Sequence, residues 1–150
     1  MVGVARAFNR LLKRYHPVRF DGLERLPAGP VLLVGDETSL AVARSLALVR
    51  GGDPGLAFAF EATDAAEVRA LLPSLGLEGA AVVERRPGGA HLGELAEAVG
   101  ARLRAQPSSR LVMTGQAQTI QALRARLAEG GPGVSGKNKA YWSVGRVGLD

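Results

Sequence analysis

Short apolar segments alternate along the sequence with longer segments in which apolar residues recur every three or four positions. This alternation constrains the fold more than any other feature of the chain. The apolar segments predict five strands, at 31–34, 56–60, 80–83, 111–113 and 139–142. The segments between them predict helices at 38–49 and 64–72, a third marked by Leu92, Leu95, Val99 and Leu103, and a fourth marked by Ile120, Leu123 and Leu127. Strands that alternate with helices are typical of crossover units on a parallel sheet.

The predicted fold class is therefore α/β, with a doubly wound, mostly parallel sheet of five strands. Right-handed crossovers leave few topologies, and the strand order 3-2-1-4-5 is the leading one. Ligands of such sheets bind beyond the carboxyl ends of the strands, where the winding reverses. In this order the reversal lies between the first and fourth strands.

Two short polar segments follow the first and fourth strands, so we expect them to line one crevice. They consist of Gly35, Asp36, Glu37 and Thr38, and of Thr114, Gly115 and Gln116. A tight glycine turn followed by the start of a helix is suited to a phosphate, because the first N–H groups of a helix are unpaired. The acidic pair Asp36 and Glu37 would repel a phosphate, however, and Asp36 is equally suited to cap the helix near Ser39.

No established phosphate-binding fingerprint settles this choice. The sequence contains neither G-x-G-x-x-G nor G-x-x-x-x-G-K-[ST]. Glu61 ends the second strand. An acidic residue at this position either binds the two hydroxyls of a ribose or is a polar strand end without a role in binding. Arg85 and Arg86 follow the third strand, where a guanidinium either binds a 2′-phosphate or lies on the surface. The choice between NADH and NADPH therefore stays open.

Composition excludes several other kinds of site. There are no cysteines, which excludes disulfides, thiolate metal sites and cysteine nucleophiles. The net charge of +5 favours anionic partners, although the basic residues are scattered as on a solvated surface. The isolated residues His16 and His91 predict no metal site and are expected at the surface. No nucleic-acid motif is evident.

The N-terminal region has a different pattern. Residues 4–14 predict a basic amphipathic helix, and a linker rich in Pro and Gly follows it. This helix is suited to docking on the domain, on a partner protein or on an anionic membrane surface. No apolar stretch approaches the length of about 20 residues that a transmembrane helix needs. With no signal peptide evident, we expect a cytoplasmic protein without a transmembrane segment.

Two segments of the sequence resemble a known family. Residues 34–40, VGDETSL, resemble the GDET segment of siderophore-interacting proteins, and residues 139–146, KAYWSVGR, resemble their terminal YW..G strand. The glycine turn at 114–116 and the following helix also match. Members of this family are flavin-dependent ferric-siderophore reductases related to ferredoxin–NADP reductases. The resemblance extends over residues 30–150.

The resemblance implies a role for each matching residue. The residues at 35–38 and 114–116 would hold NAD(P)H, and Arg85 would contact a 2′-phosphate, which favours NADPH slightly. Tyr141 and Trp142 would cover the flavin and nicotinamide rings. Lys139 and Arg146 would attract an anionic ferric siderophore. The implied reaction is hydride transfer to FAD and then reduction of Fe(III), which releases iron and requires no protein acid, base or nucleophile.

The chain departs from the family in its N-terminal part. Members carry an N-terminal FAD-binding barrel, whose strands are not evident in residues 1–29. We therefore expect an N-terminal helix and linker at 1–29 and an NAD(P)-binding domain at 30–150, with FAD not necessarily bound by this chain alone. The alternative is a non-catalytic module that binds a nucleotide, a flavin-domain partner or a second copy. A phospholipid acyltransferase is disfavoured, since Glu37 and Val42 replace the His and Asp of its motif.

Overall fold

The computed structural model describes residues 28–130 and, for the backbone only, residues 136–142. The predicted helix at 4–14, His16 and Arg146 lie outside the described residues. No helix in the described ranges is long and apolar enough to span a membrane.

Five strands and four α-helices alternate along the described residues. The strands are β1 (Val31–Gly35), β2 (Leu56–Ala62), β3 (Ala81–Glu84), β4 (Arg110–Gln116) and β5 (Gly136–Trp142). The helices are α1 (Leu40–Val49), α2 (Ala65–Leu71), α3 (Leu92–Ala105) and α4 (Ala117–Glu129). There are three short 3-10 turns in the described residues. Glu37–Ser39 precedes α1, Pro73–Leu75 follows α2, and Pro87–Gly89 precedes α3.

All neighbouring strands are parallel, and their order is β3-β2-β1-β4-β5. The predicted doubly wound α/β fold and its strand order are thereby confirmed. Val34 near the end of β1 lies beside Ala59 of β2 and Met113 of β4. The carboxyl ends of the three central strands therefore meet at one edge of the sheet.

Two apolar cores cover the two faces of the sheet. Leu33 and Phe60 pack in one core, which also contains the apolar sides of α1 and α2. Leu32 and Met113 pack in the other, which contains the apolar sides of α3 and α4. Because successive side chains of a strand point to opposite faces, a central strand covered on both sides reads as a continuous apolar run. The buried run of β1 has this explanation.

The helix and strand bounds differ slightly from those predicted. The segment predicted to be helical from Thr38 begins with the 3-10 turn Glu37–Ser39, and α1 begins at Leu40. Strand β2 continues through Glu61 to Ala62, because β3 pairs with it as far as Glu84. Strand β4 likewise continues to Gln116, with a register shift between Gly115 and Gln116 where it pairs with β5. Several polar residues that were predicted to follow the strands therefore lie within the last residues of the strands, where they still pair with the neighbouring strand.

Candidate functional site

The winding of the sheet reverses between β1 and β4. From the end of β1 the chain enters α1 on one face, and from the end of β4 it enters α4 on the opposite face. The edge formed by Gly35 and Gly115 is therefore the topological switch point of the fold, where ligands of such sheets bind. The sequence predicted this location.

Gly115 allows the ends of β1 and β4 to approach each other closely. Its φ of +102° lies in the region that favours glycine. A Cβ atom at this position would lie 2.7 Å from Cγ of Asp36. A side chain at Gly35 would likewise collide with Ser39 and lie 2.9 Å from Oγ1 of Thr114. Both glycines are thus required by contacts within the protein.

Asp36 is buried and caps the turn that leads into α1. Its carboxylate accepts hydrogen bonds from the backbone N–H of Thr38 (2.9 Å) and from the Thr38 hydroxyl. In return, the backbone N–H of Asp36 donates to Oγ of Ser39 at 3.3 Å, which completes a capping box. The capping role considered for Asp36 is therefore present. The hydroxyl of Thr114 donates to Ser39 Oγ at 2.7 Å and links this cap to β4.

The N-terminus of α4 has no such cap. Its N-cap residue, Gln116, makes no side-chain hydrogen bond to the backbone of the first turn, and that turn contains no acidic residue. The first N–H groups of a helix carry a partial positive charge. Because α4 begins at Ala117, two residues after Gly115, its N-terminus lies at the switch point. Asp36 thus caps the 3-10 turn before α1, whereas the N-cap residues of α1 and α4, Ser39 and Gln116, make no side-chain cap hydrogen bond.

Arg85 lies among three carboxylates at the end of β3. Its Nη2 is 3.1 Å from Oε2 of Glu37, 3.5 Å from Oε1 of Glu61 and 4.0 Å from Oδ2 of Asp36. Its Nη1 donates to the hydroxyl of Thr63 at 2.7 Å. Burial alone would lower the pKa of Arg85, but the charges of Glu37, Glu61 and Asp36 raise it above its ordinary value. Arg85 therefore stays charged and binds the carboxylates together.

Glu61 lies at the centre of a buried network that extends behind the crevice. Its Oε2 is 2.5 Å from Nε2 of His91, and its Oε1 accepts from the Thr119 hydroxyl at 2.7 Å. Nδ1 of His91 accepts from the backbone N–H of Arg86 at 3.1 Å, so Nδ1 carries no proton. Nε2 must then carry the imidazole proton and donate it to Glu61. The network joins β2, α3 and α4.

Burial of His91 is the main disagreement with the sequence analysis. The residue was expected at the surface, but it is only 2% exposed. The turn Pro87–Gly89 brings the start of α3 back over the end of β2, which places the imidazole against Glu61. The sequence gives only a weak signal for this contact, because residues 61 and 91 are far apart in the chain. The clue that the sequence offers is the pair of consecutive glycines, Gly88 and Gly89, shortly before the helix. Both adopt a positive φ in the structure.

The predicted site residues separate into three groups. The first group lies together at the carboxyl edge and comprises Gly35, Asp36, Glu37, Thr38, Glu61, Arg85, Thr114, Gly115 and Gln116. The second group, Lys139, Tyr141 and Trp142, lies on β5. Lys139 pairs with Thr114 and Trp142 with Gln116, and Tyr141 precedes Trp142 at the register shift. The third group is Arg146 alone, outside the described residues. Within the first group, Glu61 is buried and already bonded.

Arg86, the second basic residue after β3, points elsewhere. It forms an ion pair with Glu94 at 3.1 Å, with side chains 54% and 55% exposed. The two consecutive arginines thus have different surroundings. Arg85 belongs to the crevice and Arg86 to the solvated surface.

The crevice fits a pyridine nucleotide at its β1–β4 side. The start of α4 suits a pyrophosphate. The space that side chains at Gly35 and Gly115 would occupy is filled by Ser39, Thr114 and Asp36. The fit is poorer toward β2 and β3, where three carboxylates surround a single guanidinium. No contact among the described residues identifies a flavin site.

Comparison with known proteins found matches among solved structures only. No protein-family model and no curated protein matches the chain. A siderophore-interacting protein from Acinetobacter baumannii matches 87% of this chain with a TM-score of 0.54 and 16% identity. A siderophore utilization protein from T. fusca matches 83% of this chain with a TM-score of 0.50 and 25% identity.

The chain spans about half the length of these two proteins, 51% of the first and 49% of the second. The match to the first shows a common fold. Together with the GDET segment, which begins at Gly35, the last residue of β1, the two matches confirm the predicted resemblance. By fold and by sequence resemblance, the chain is similar to the siderophore-interacting proteins.

Proposed function

We propose that the crevice between β1 and β4 binds NAD(P)H, and that the chain is the nucleotide-binding part of a flavin-dependent ferric-siderophore reductase. The observation that carries the proposal is the start of α4 at the switch point, two residues after the positive-φ Gly115 and without a side-chain cap from Gln116. The start of a helix at this place is suited to a pyrophosphate. The likeness to a siderophore-interacting protein and a siderophore utilization protein supports a relation to siderophores, and the class of reaction is the one that the sequence resemblance implies.

In this proposal each crevice segment has a separate task. The turn at Gly115 and the first N–H groups of α4 bind the pyrophosphate, and Gly35 allows Ser39 and Thr114 to pack beside them. Thr38 and Gln116 offer polar side chains at the two sides of the crevice. The capping box of Asp36 and Ser39 fixes the shape of this edge before any ligand arrives. Preorganisation of this kind reduces the cost of ordering the site on binding.

The bound cofactors would supply hydride transfer from the nucleotide to FAD and electron transfer to the Fe(III) of a siderophore, which releases iron. The protein residues then orient the groups and contribute charge. Tyr141 and Trp142 are proposed to lie against the rings, and Lys139 and Arg146 to attract the anionic siderophore. The positions of residues 139–142 on β5, beside the end of β4, support their assignment to this edge.

Calorimetric titration of the full chain with NADH and with NADPH, each without and with FAD, tests the proposal. We expect a binding signal in the absence of FAD. Stopped-flow absorbance with FAD and a ferric siderophore then separates a reductase from a module that binds nucleotide without transferring electrons. Absence of heat with both nucleotides, from a chain that circular dichroism shows to be folded, would contradict the proposed function.

A pair of variants on one helix locates the site. Thr38→Tyr places a large side chain at the crevice, before α1, whereas Leu48→Tyr places the same side chain at the far end of α1, where Leu48 is 67% exposed. Thr38→Tyr is expected to weaken nucleotide binding at least tenfold, and Leu48→Tyr is expected to leave it unchanged. Equal effects of the two substitutions would place the nucleotide elsewhere.

A further inference from the structure

We propose that Glu37 makes the crevice prefer NADH to NADPH, because its carboxylate engages Arg85 and meets the ribose of the nucleotide. This inference rests on the proposed function and names the nucleotide for the same site. It reverses the slight preference for NADPH that the family resemblance implies. The argument depends on which groups already surround Arg85, on how far each of them is exposed and on the charge they carry.

Arg85 is already bound to groups of the protein. Its Nη2 is 3.1 Å from the Glu37 carboxylate, and its Nη1 donates to Thr63 at 2.7 Å. Glu37 is fixed in turn, because it accepts a hydrogen bond from the backbone N–H of Thr63. A 2′-phosphate that used the Arg85 guanidinium as a fork would have to displace Glu37 from it. The structure thus contains an internal competitor for this phosphate.

The local charge also disfavours a 2′-phosphate. Three carboxylates lie within 4.0 Å of the Arg85 Nη2, so a single guanidinium faces three acidic groups. A phosphate monoester adds about 1.5 to 2 negative charges at neutral pH. A ribose 2′-hydroxyl is uncharged and can donate a hydrogen bond to a carboxylate. The cluster therefore favours the nucleotide that carries a hydroxyl at this position.

Glu37 is the carboxylate that a ligand can reach. Its side chain is 10% exposed, whereas those of Asp36 and Glu61 are each 1% exposed. Both carboxylates are already paired, Glu61 with His91 and Thr119 and Glu37 with Arg85 and Thr63, so exposure is what distinguishes them. Glu61 was the acid that the sequence suggested for the ribose diol. Its burial transfers that task to Glu37.

Isothermal titration of the full chain with NADH and NADPH tests this inference in four proteins. These are the unmodified chain, Glu37→Gln, Glu37→Gln combined with Arg85→Ala, and the control Glu94→Gln. The control removes the carboxylate partner of the neighbouring Arg86, which forms an exposed pair of the same length. Each protein is checked for folding by circular dichroism before titration.

The unmodified chain is expected to bind NADH more tightly than NADPH. Glu37→Gln neutralises the competitor and frees Arg85, so the ratio of NADPH to NADH affinity is expected to rise at least tenfold. Arg85→Ala in the same chain is expected to abolish the rise, since the gain depends on the freed guanidinium. Glu94→Gln is expected to leave the ratio unchanged.

Two results would overturn the inference while leaving the proposed function intact. They are a preference for NADPH in the unmodified chain, and an unchanged ratio in a folded Glu37→Gln variant that binds both nucleotides. If Glu37→Gln fails to fold, the preference of the unmodified chain still decides the inference. Failure of the folded, unmodified chain to bind either nucleotide overturns the proposed function, and this inference with it.

Discussion

His91 and Glu61 show how a buried polar pair can be satisfied completely at the residue scale. The imidazole accepts a hydrogen bond at Nδ1 and donates one at Nε2, and the second Glu61 oxygen accepts from Thr119. Buried polar groups are stabilising only when their partners are present, because an unpaired group retains its desolvation cost. Removing one member of the network should therefore lower the free energy of unfolding more than removing one partner of an exposed ion pair does.

Replacement of His91 by alanine tests this difference. The substitution leaves the buried Glu61 oxygen and the Arg86 N–H without the imidazole. We expect the free energy of unfolding to fall by about 2–4 kcal/mol. The control Glu94→Ala removes an exposed ion pair and is expected to change it by less than about 0.5 kcal/mol. Urea unfolding followed by circular dichroism measures both, and similar values would argue against the network.

Gly115 gives a second prediction at this scale. Gly115→Ala adds a Cβ atom close to the Asp36 carboxylate and retains a backbone φ of +102°. We expect the free energy of unfolding to fall by about 2–4 kcal/mol. Gly130→Ala is the control, because Gly130 has a φ of −90° and the nearest atom to its Cβ would be 3.7 Å away. Its effect should stay within about 0.5 kcal/mol in thermal unfolding, and an equal loss would remove the steric argument.

Helix capping is the clearest property at the scale of single elements. Asp64 precedes α2 and accepts a hydrogen bond from the backbone N–H of Glu67 at 2.9 Å. An aspartate directly before a helical segment is a common N-cap residue. Capping can be predicted locally because the acceptor and the donor are three residues apart in the chain. Helix α2 has only seven residues, so a single cap satisfies a large share of its unpaired N–H groups.

Substitution of Asp64 measures this contribution. Asp64→Ala removes the acceptor and is expected to destabilise the protein by about 1 kcal/mol. Asp64→Asn keeps an oxygen acceptor and should retain most of the stability. The urea midpoints of the two variants provide the measurement. A loss from asparagine as large as that from alanine would mean that the charge of Asp64, and not its hydrogen bond, stabilises α2.

At the scale of the whole molecule, one sheet joins two separate cores. Leu71 of α2 is buried in one core and Leu123 of α4 in the other, and both are 1% exposed. The central strands contribute side chains to both cores, which should make the two faces unfold together. Leu71 and Leu123 themselves belong to different apolar clusters.

The variants Leu71→Ala and Leu123→Ala test this arrangement. Each should cost about 2–5 kcal/mol, since each leaves a cavity in a packed core. Because the two cavities lie on opposite faces of the sheet, the effects should add within about 0.5 kcal/mol in the double variant. Thermal unfolding should still show one transition. Two transitions in any of these variants would mean that the faces unfold independently.

The sequence predicted most of the fold because its information is local or repetitive. Apolar runs and helical spacing located the four described helices and the five strands to within a few residues, and crossover rules then gave the strand order. The crevice followed from the topology, since polar residues after β1 and β4 must meet at one edge. Burial of β1 on both faces was likewise visible in its uninterrupted apolar sequence.

The surroundings of the polar side chains were decided by the tertiary structure alone. Their position after the third strand did not distinguish Arg85 from Arg86, whereas the fold places the first among carboxylates and the second in an exposed pair. It suggested Glu61 as a ribose acid, whereas His91 returns from a distant helix to bind it. Periodicity reports which face of an element is apolar. Partners 24 or more residues apart in the chain meet only through packing of the elements, as Arg85 and Glu61 do.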